Sequence, residues 1–152
     1  MYYSVYFRSE IKVKFRRQYI ETDDGGVISL EWPNDKDVNF DKLLVILPGL
    51  TGDASDPYIK EIIQEFDQYK GYKIVVLQYR GVANIPLFTS KSYHCGYTDD
   101  LSYVMNYLYE KYPDKRCYVI GCSMGANIFT LLFSKHHELK SYIKGIKIIL
   151  SR

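Results

Sequence analysis

Cysteine is scarce in this chain of 152 residues: only Cys95, Cys117 and Cys122, without C-x-x-C spacing. An odd count without paired spacing argues against a disulfide framework and a zinc site, and suits a reducing, cytoplasmic compartment. No metal and no cofactor are expected. An excess of one charge is also missing, since 20 basic and 18 acidic residues leave a net charge of +2. That is too little to imply a nucleic-acid partner. The basic cluster Lys12, Lys14, Arg16 and Arg17 mostly alternates with Val13 and Phe15, as the solvated face of a strand does. There is no Asn-x-Ser/Thr sequon, and Met1–Arg8 is too short and polar for a signal peptide or anchor. One uncharged stretch, Cys117 to Ser134, has roughly the 18 residues at the lower limit for a spanning helix. Gly121, Ser123, Gly125 and Asn127 crowd its centre, where a lipid-facing helix would be most apolar. It therefore reads as a buried strand followed by a buried helix, leaving at most peripheral contact with a membrane.

Apolar residues, by contrast, are plentiful. Hydrophobic content of 47% with 25% charged residues belongs to an ordinary globular chain, of a length that suits one domain with a substantial core. Sixteen tyrosines supply bulk for half-buried positions.

The pattern along the chain predicts two opening strands, about Ile11–Glu21 and Val27–Trp32. Asp23-Asp24-Gly25-Gly26 joins them as an antiparallel hairpin. Pro33 stops the second strand, and residues 34–41 read as a loop. From Leu43 onward, apolar runs alternate with helical periodicity, the signature of a parallel sheet covered on both faces. The expected strands are 43–47, 74–77, 117–120 and 146–150. The expected helices begin at Pro57, capped by Ser55 or Asp56, at Thr98 or Asp99, and after Ser123, the last running to about His137. Between Arg80 and Tyr97 lies a long stretch without periodicity, of a length that in compact domains is usually functional. The fold class is thus α/β: an N-terminal hairpin over 1–32, then a mostly parallel core over 43–150 with helices on both faces.

Chemistry concentrates at Gly121-Cys122-Ser123-Met124-Gly125. Gly-x-Ser-x-Gly arises by chance often enough that context must decide, and here a strand pattern precedes it and a helical pattern follows. Those are the surroundings of a nucleophile elbow, where a serine at a sharp strand-to-helix turn leaves no room for side chains two positions away. Cys122 points away from the apex and reads as a packing residue. A second element, Pro48-Gly49-Leu50-Thr51-Gly52, follows the first parallel strand. In acyl transfer two backbone N–H groups stabilise the oxyanion. Met124, just after the serine, supplies one, and Leu50 is the candidate for the other. The dipole of the helix that starts at the elbow points to the same place.

These stretches, together with Tyr58-Ile59, Tyr79-Arg80-Gly81, Ser92-Tyr93-His94 and Thr98-Asp99-Asp100-Leu101, resemble the α/β-hydrolase superfamily. Within it they are most similar to the group holding the bacterial YheT-type hydrolases, the animal membrane-anchored acylglycerol and phospholipid lipases, and the yeast medium-chain ethyl ester synthases. The likeness runs from about Arg17 to Ser134. It implies a serine esterase or lipase acting on acyl esters, with Ser123 as nucleophile and Leu50 and Met124 at the oxyanion hole. It also implies an N-terminal segment, often a membrane anchor, and, after the strand at 146–150, a lid and the triad's Asp and His. The expectation is therefore a partial domain whose C-terminal half is missing.

No histidine inside the chain replaces the base plainly. His136 and His137 would lie about 20 Å along the helix from Ser123 at 1.5 Å per residue. His94 falls at the same sheet edge as the serine but is better explained as fixing its own loop. Asp99 and Asp100 read as first-turn charges that complement a helix dipole. Three functions remain open: a serine ester hydrolase, weak or inactive in this form; an acyltransferase to an alcohol; or a non-catalytic interaction domain. The open sheet edge beside Ile146–Leu150 is expected to pair with another strand or to self-associate.

Overall fold

The computed structural model describes residues 11–33, 39–136 and 139–149. Strands β1 (Phe15–Glu21) and β2 (Val27–Pro33) form the antiparallel hairpin, in register from Phe15 opposite Pro33 to Glu21 opposite Val27. The turn closes where Thr22 N–H donates to Gly26 O at 2.9 Å. Pro33 ends β2 without breaking it, as a residue lacking an N–H can at a strand terminus. After β2 come β3 (Lys42–Leu47), α1 (Pro57–Asp67), β4 (Tyr72–Gln78), α2 (Asp99–Lys111), β5 (Arg116–Cys122), α3 (Met124–Lys135), the short α4 (Leu139–Tyr142) and β6 (Ile143–Ile149). They build one six-stranded sheet in the order β1-β2-β4-β3-β5-β6. The pairs β4–β3, β3–β5 and β5–β6 are parallel, and β2 meets β4 antiparallel. The α/β class and the mostly parallel sheet follow the sequence pattern.

Each helix covers the sheet with the stripe its periodicity marks out. Leu101, Val104, Met105 and Leu108 of α2, with Met124, Ile128, Phe129 and Leu132 of α3, pack on one face against Leu43, Val45, Leu47, Val75, Leu77 and Val119. Full burial of each such aliphatic or aromatic side chain contributes about 1.5–3 kcal/mol relative to exposure. Helix α1 lies on the opposite face, where Ile59 and Ile63 meet Leu44, Ile46, Ile74, Val76 and Ile120.

Several boundaries differ from the sequence reading. β1 begins at Phe15 rather than near Ile11, although Lys12 and Lys14 are exposed and Val13 half-buried in the expected alternation. Helix α3 ends at Lys135; His137 and Leu150 lie outside the described residues. β6 starts three residues earlier than its apolar run, at Ile143, and α4 leads straight into it. Lys144 and Gly145 break the apolar pattern: Lys144 falls at a register shift between the Cys117–Ile143 and Tyr118–Gly145 pairs, and pairing with β5 resumes at Gly145. At α1 the Asp56 carboxylate does not cap the helix. Its Oδ2 instead accepts the Asp53 N–H at 3.0 Å in the turn before it.

Candidate active site

In a parallel sheet the strands end on the same side, so the loops after β3, β4 and β5 become neighbours. That edge carries 48–56, 79–98 and the turn at Ser123. Ser123 has φ 49° and ψ −113°, outside the regions ordinary residues occupy, and it sits directly between β5 and α3. The chain holds it there by two backbone bonds. Its N–H donates to Ile149 O at 2.6 Å, and its carbonyl accepts the Asn127 N–H at 3.2 Å.

The flanking glycines answer to tight packing. A Cβ added at Gly121 would lie 2.6 Å from Ala126 Cα, and one at Gly125 would lie 2.5 Å from both Leu47 O and Pro48 O. Those approaches bring α3 down onto β5 and onto the end of β3, so the serine protrudes. Ser123 is exposed, and no described residue hydrogen-bonds its hydroxyl. Cys122 is 5% exposed and packs among the apolar side chains on the α1 side, where burial pushes its thiol pKa up. The thiol is thus a packing group, as its strand position predicts.

The loop after β3 lies against the serine: a Cβ added at Gly49 would be 3.4 Å from Ser123 Cβ. Gly49, Leu50, Thr51, Gly52 and Ser123 all line one cleft of about 1150 Å³. Leu50 is 66% exposed, whereas Met124 is buried as the first residue of α3. Neither the Leu50 nor the Met124 N–H has a hydrogen-bond partner among the described residues. The structure therefore brings Ser123, Leu50 and Met124 to one edge with both amides open.

The titratable neighbours do less than their proximity in sequence suggests. His94 is exposed, and its Nδ1 accepts the Gly96 N–H at 3.2 Å, which fixes its own loop. It does not line the serine's cleft. His136 lies past the end of α3. Among the described residues no group of three or more His, Cys, Asp or Glu could hold a metal ion.

Asp99 and Asp100 stand in the first turn of α2 as expected, but Asp100 is also a buried ion-pair partner. It is 3% exposed, and both of its oxygens engage Arg80, with Nε donating to Oδ2 at 2.8 Å. Arg80, 1% exposed, also donates to Asp24 Oδ2 in the β1–β2 turn at 3.1 Å and to Thr89 Oγ1 at 3.2 Å. Its hydrogen bonds to the Asp100 carboxylate hold the Arg80 guanidinium pKa well above its ordinary value. Those from Arg80, then from Thr22, hold the Asp24 carboxyl well below its own. This network pins the start of the long loop to the hairpin and to α2. The pairing was missed because Arg80 and Asp100 stand 20 residues apart, and only their membership of two family motifs marked them.

Residues 42–151 match the family model described as the alpha/beta hydrolase fold. Human phospholipase ABHD3 is 36% identical over 126 residues, which cover 79% of this chain and 31% of that protein. Monoacylglycerol lipase of Saccharomyces cerevisiae is 29% identical over 138 residues, covering 84% of this chain and 31% of the lipase. Among solved structures, the Pyrococcus furiosus esterase Pf2001 superposes with a TM-score of 0.65 at 24% identity, over 89% of this chain and 51% of the esterase. The chain thus spans about three-tenths of the length of those curated relatives. No helix among the described residues is long and apolar enough to cross a membrane. With its mostly parallel sheet, its strand–serine–helix turn and a family match over most of its length, this chain belongs to the α/β-hydrolase family.

Proposed function

We propose that this chain carries the acylation site of a serine ester hydrolase for acyl esters, including lipid esters. The observation that carries this reading is the strained, exposed Ser123 between two unpartnered amides, those of Leu50 and Met124. Ser123 Oγ attacks the ester carbonyl, the carbonyl oxygen becomes an oxyanion, and the two N–H groups receive it. The α3 dipole has its positive end at the same point. The C–O bond to the alkoxide breaks, the alkoxide takes up the proton lost from Ser123 Oγ and departs as the alcohol, and the acyl group stays on Ser123 until water or an alcohol takes it. Hydrolysis and acyl transfer share that intermediate. The relatives named as a phospholipase and a monoacylglycerol lipase support lipid esters as the substrate class.

No described histidine is placed to take the Ser123 proton, so these 152 residues are expected to acylate slowly. Without triad members, a residual rate from the oxyanion hole and binding survives. The test is covalent capture. Incubation with a fluorophosphonate should add one phosphonyl group at Ser123 over hours, and Ser123→Ala should stay unlabelled. Labelling elsewhere, or none, defeats the proposal. Rapid hydrolysis of a p-nitrophenyl ester that is lost in both Ser123→Ala and His94→Ala would instead point to His94 as the base.

One observation favours a second reading, an interaction domain that keeps the elbow only as fold. Strand β6 pairs with β5 alone among the described strands, and it exposes Ile146 and Ile148 at 42% and 46%. Such an edge accepts another strand. Concentration-dependent mass by light scattering, abolished by a lysine at Ile148, would support it.

A further inference from the structure

Three tyrosines from separate parts of the chain converge on the 48–52 loop. Tyr58, in the first turn of α1, accepts the Gly49 N–H on its hydroxyl oxygen at 3.1 Å. Tyr93, in the long loop, accepts the Thr51 N–H at 3.3 Å. Tyr79, just past β4, donates its hydroxyl to Pro48 O at 3.3 Å and stacks on Tyr93, with centroids 5.1 Å apart and planes 7° from parallel. The Gly52 N–H closes the turn onto Gly49 O at 3.1 Å. Pro48 has no N–H to offer. Every N–H of the loop except that of Leu50 is therefore committed.

The local sequence is fitted to this arrangement. A Cβ at Gly52 would stand 2.7 Å from Tyr58 Oη, so the glycine makes room for the hydroxyl to reach Gly49. Thr51 has φ 56°, a left-handed conformation that a β-branched residue adopts only when its surroundings impose it. The bond from its N–H to Tyr93 supplies such a restraint. Asn127 Nδ2 in turn donates to Cys95 O at 2.7 Å, tying the Tyr93 loop to the helix that begins at Ser123. Burial raises the Tyr58 and Tyr79 pKa values, so both remain neutral phenols near pH 7.

We propose that Tyr58, Tyr79 and Tyr93 are positioning residues that orient the 48–52 loop, so that the Leu50 N–H alone faces the oxyanion formed at Ser123. This rests on the acyl-transfer reading above, and it gives roles to the Tyr58, Tyr79 and Tyr93 motifs that the nucleophile and its donors left unassigned. A loop released from these bonds can turn its amides away, and misplacement by about 1 Å is enough to cost a catalytic group much of its effect.

Amide exchange by NMR on the full chain tests the geometry without relying on turnover. Gly49 and Thr51 should be protected, and Leu50 should exchange near the unprotected rate. Tyr58→Phe should speed Gly49 exchange, and Tyr93→Phe should speed Thr51 exchange, each by about tenfold or more, with little change in melting temperature. Phosphonylation of Ser123 should slow by about tenfold in each variant. Tyr69→Phe, which alters a surface tyrosine bonded to Glu65, should change neither readout. A Leu50 amide as protected as its neighbours overturns the proposal. So does Gly49 exchange that ignores Tyr58→Phe, or a Ser123 labelling rate indifferent to both variants. If wild type shows the expected exchange pattern but no labelling, the orientation of the loop stands and the acyl-transfer reading falls.

Discussion

The two faces of the sheet are covered unequally. On one, α2, α3 and α4 bury a continuous cluster from Ile20 to Ile143 that includes the largest apolar side chains of the fold. On the other, α1 is the one helix among the described residues, while Ile120, Cys122 and Ile149 line a cleft shared with Ser123. Parallel sheets are stable when both faces are covered. The difference teaches that Ser123, the proposed nucleophile, is held from the packed side and faces the open one. Its turn is set by α3 against β3 and β5, and the space in front of it belongs to the α1 side.

The largest expected effect probes the packed face. Leu132→Ala, at a site with no exposure, should cost about 2–5 kcal/mol in chemical denaturation. A cost under 1 kcal/mol would mean that this face is looser than its burial indicates. Gly125→Ala should come next, at about 1–3 kcal/mol, because its Cβ meets backbone oxygens that cannot step aside. It should also lower Ser123 labelling by tilting the elbow, and unchanged labelling in a folded variant would separate α3 packing from the site.

Acid tests the polar anchor at the rim of the packed face. The folded Asp24 pKa lies below its ordinary value of about 3.9, held down by Arg80, so the pair's contribution is complete above that value. It is lost as pH falls through the lowered folded value. The melting temperature should therefore drop below about pH 4, and Asp24→Asn should lower it at pH 7 while flattening that acid slope. An identical slope in the variant would assign acid sensitivity to other carboxylates. The smallest effect belongs to the sheet edge: Ile148→Thr, exposed on β6 and paired with Gly121, should change stability by no more than about 0.5 kcal/mol. A large loss would show that the packed cover extends over β6 in solution, and so would sharpen the contrast between the faces.

Much of this was legible in the sequence, for reasons specific to each element. Leu43–Leu47 and Ile74–Leu77 are buried on both faces, so they appear as unbroken apolar runs. α2 shows its stripe because one side only is buried. The start of β6 is hidden in the sequence because Lys144, at a register shift, and Gly145, opposite Tyr118, break the apolar pattern. The burial of Asp100 against Arg80 is not legible because a first-turn aspartate looks the same in sequence whether it faces solvent or a buried arginine.

By itself the sequence determined the α/β order, the family, and the choice of Ser123, Leu50 and Met124 as candidates. The order and the candidates follow from local periodicity and from glycines that local sterics demand, and the family from the likeness of its motifs. Only the tertiary structure decided which amides remain open, that Arg80 joins hairpin to helix, and that tyrosines 58, 79 and 93 meet at one loop. Such facts join residues far apart along the chain, and a hydrogen bond between them leaves no periodic trace in the sequence.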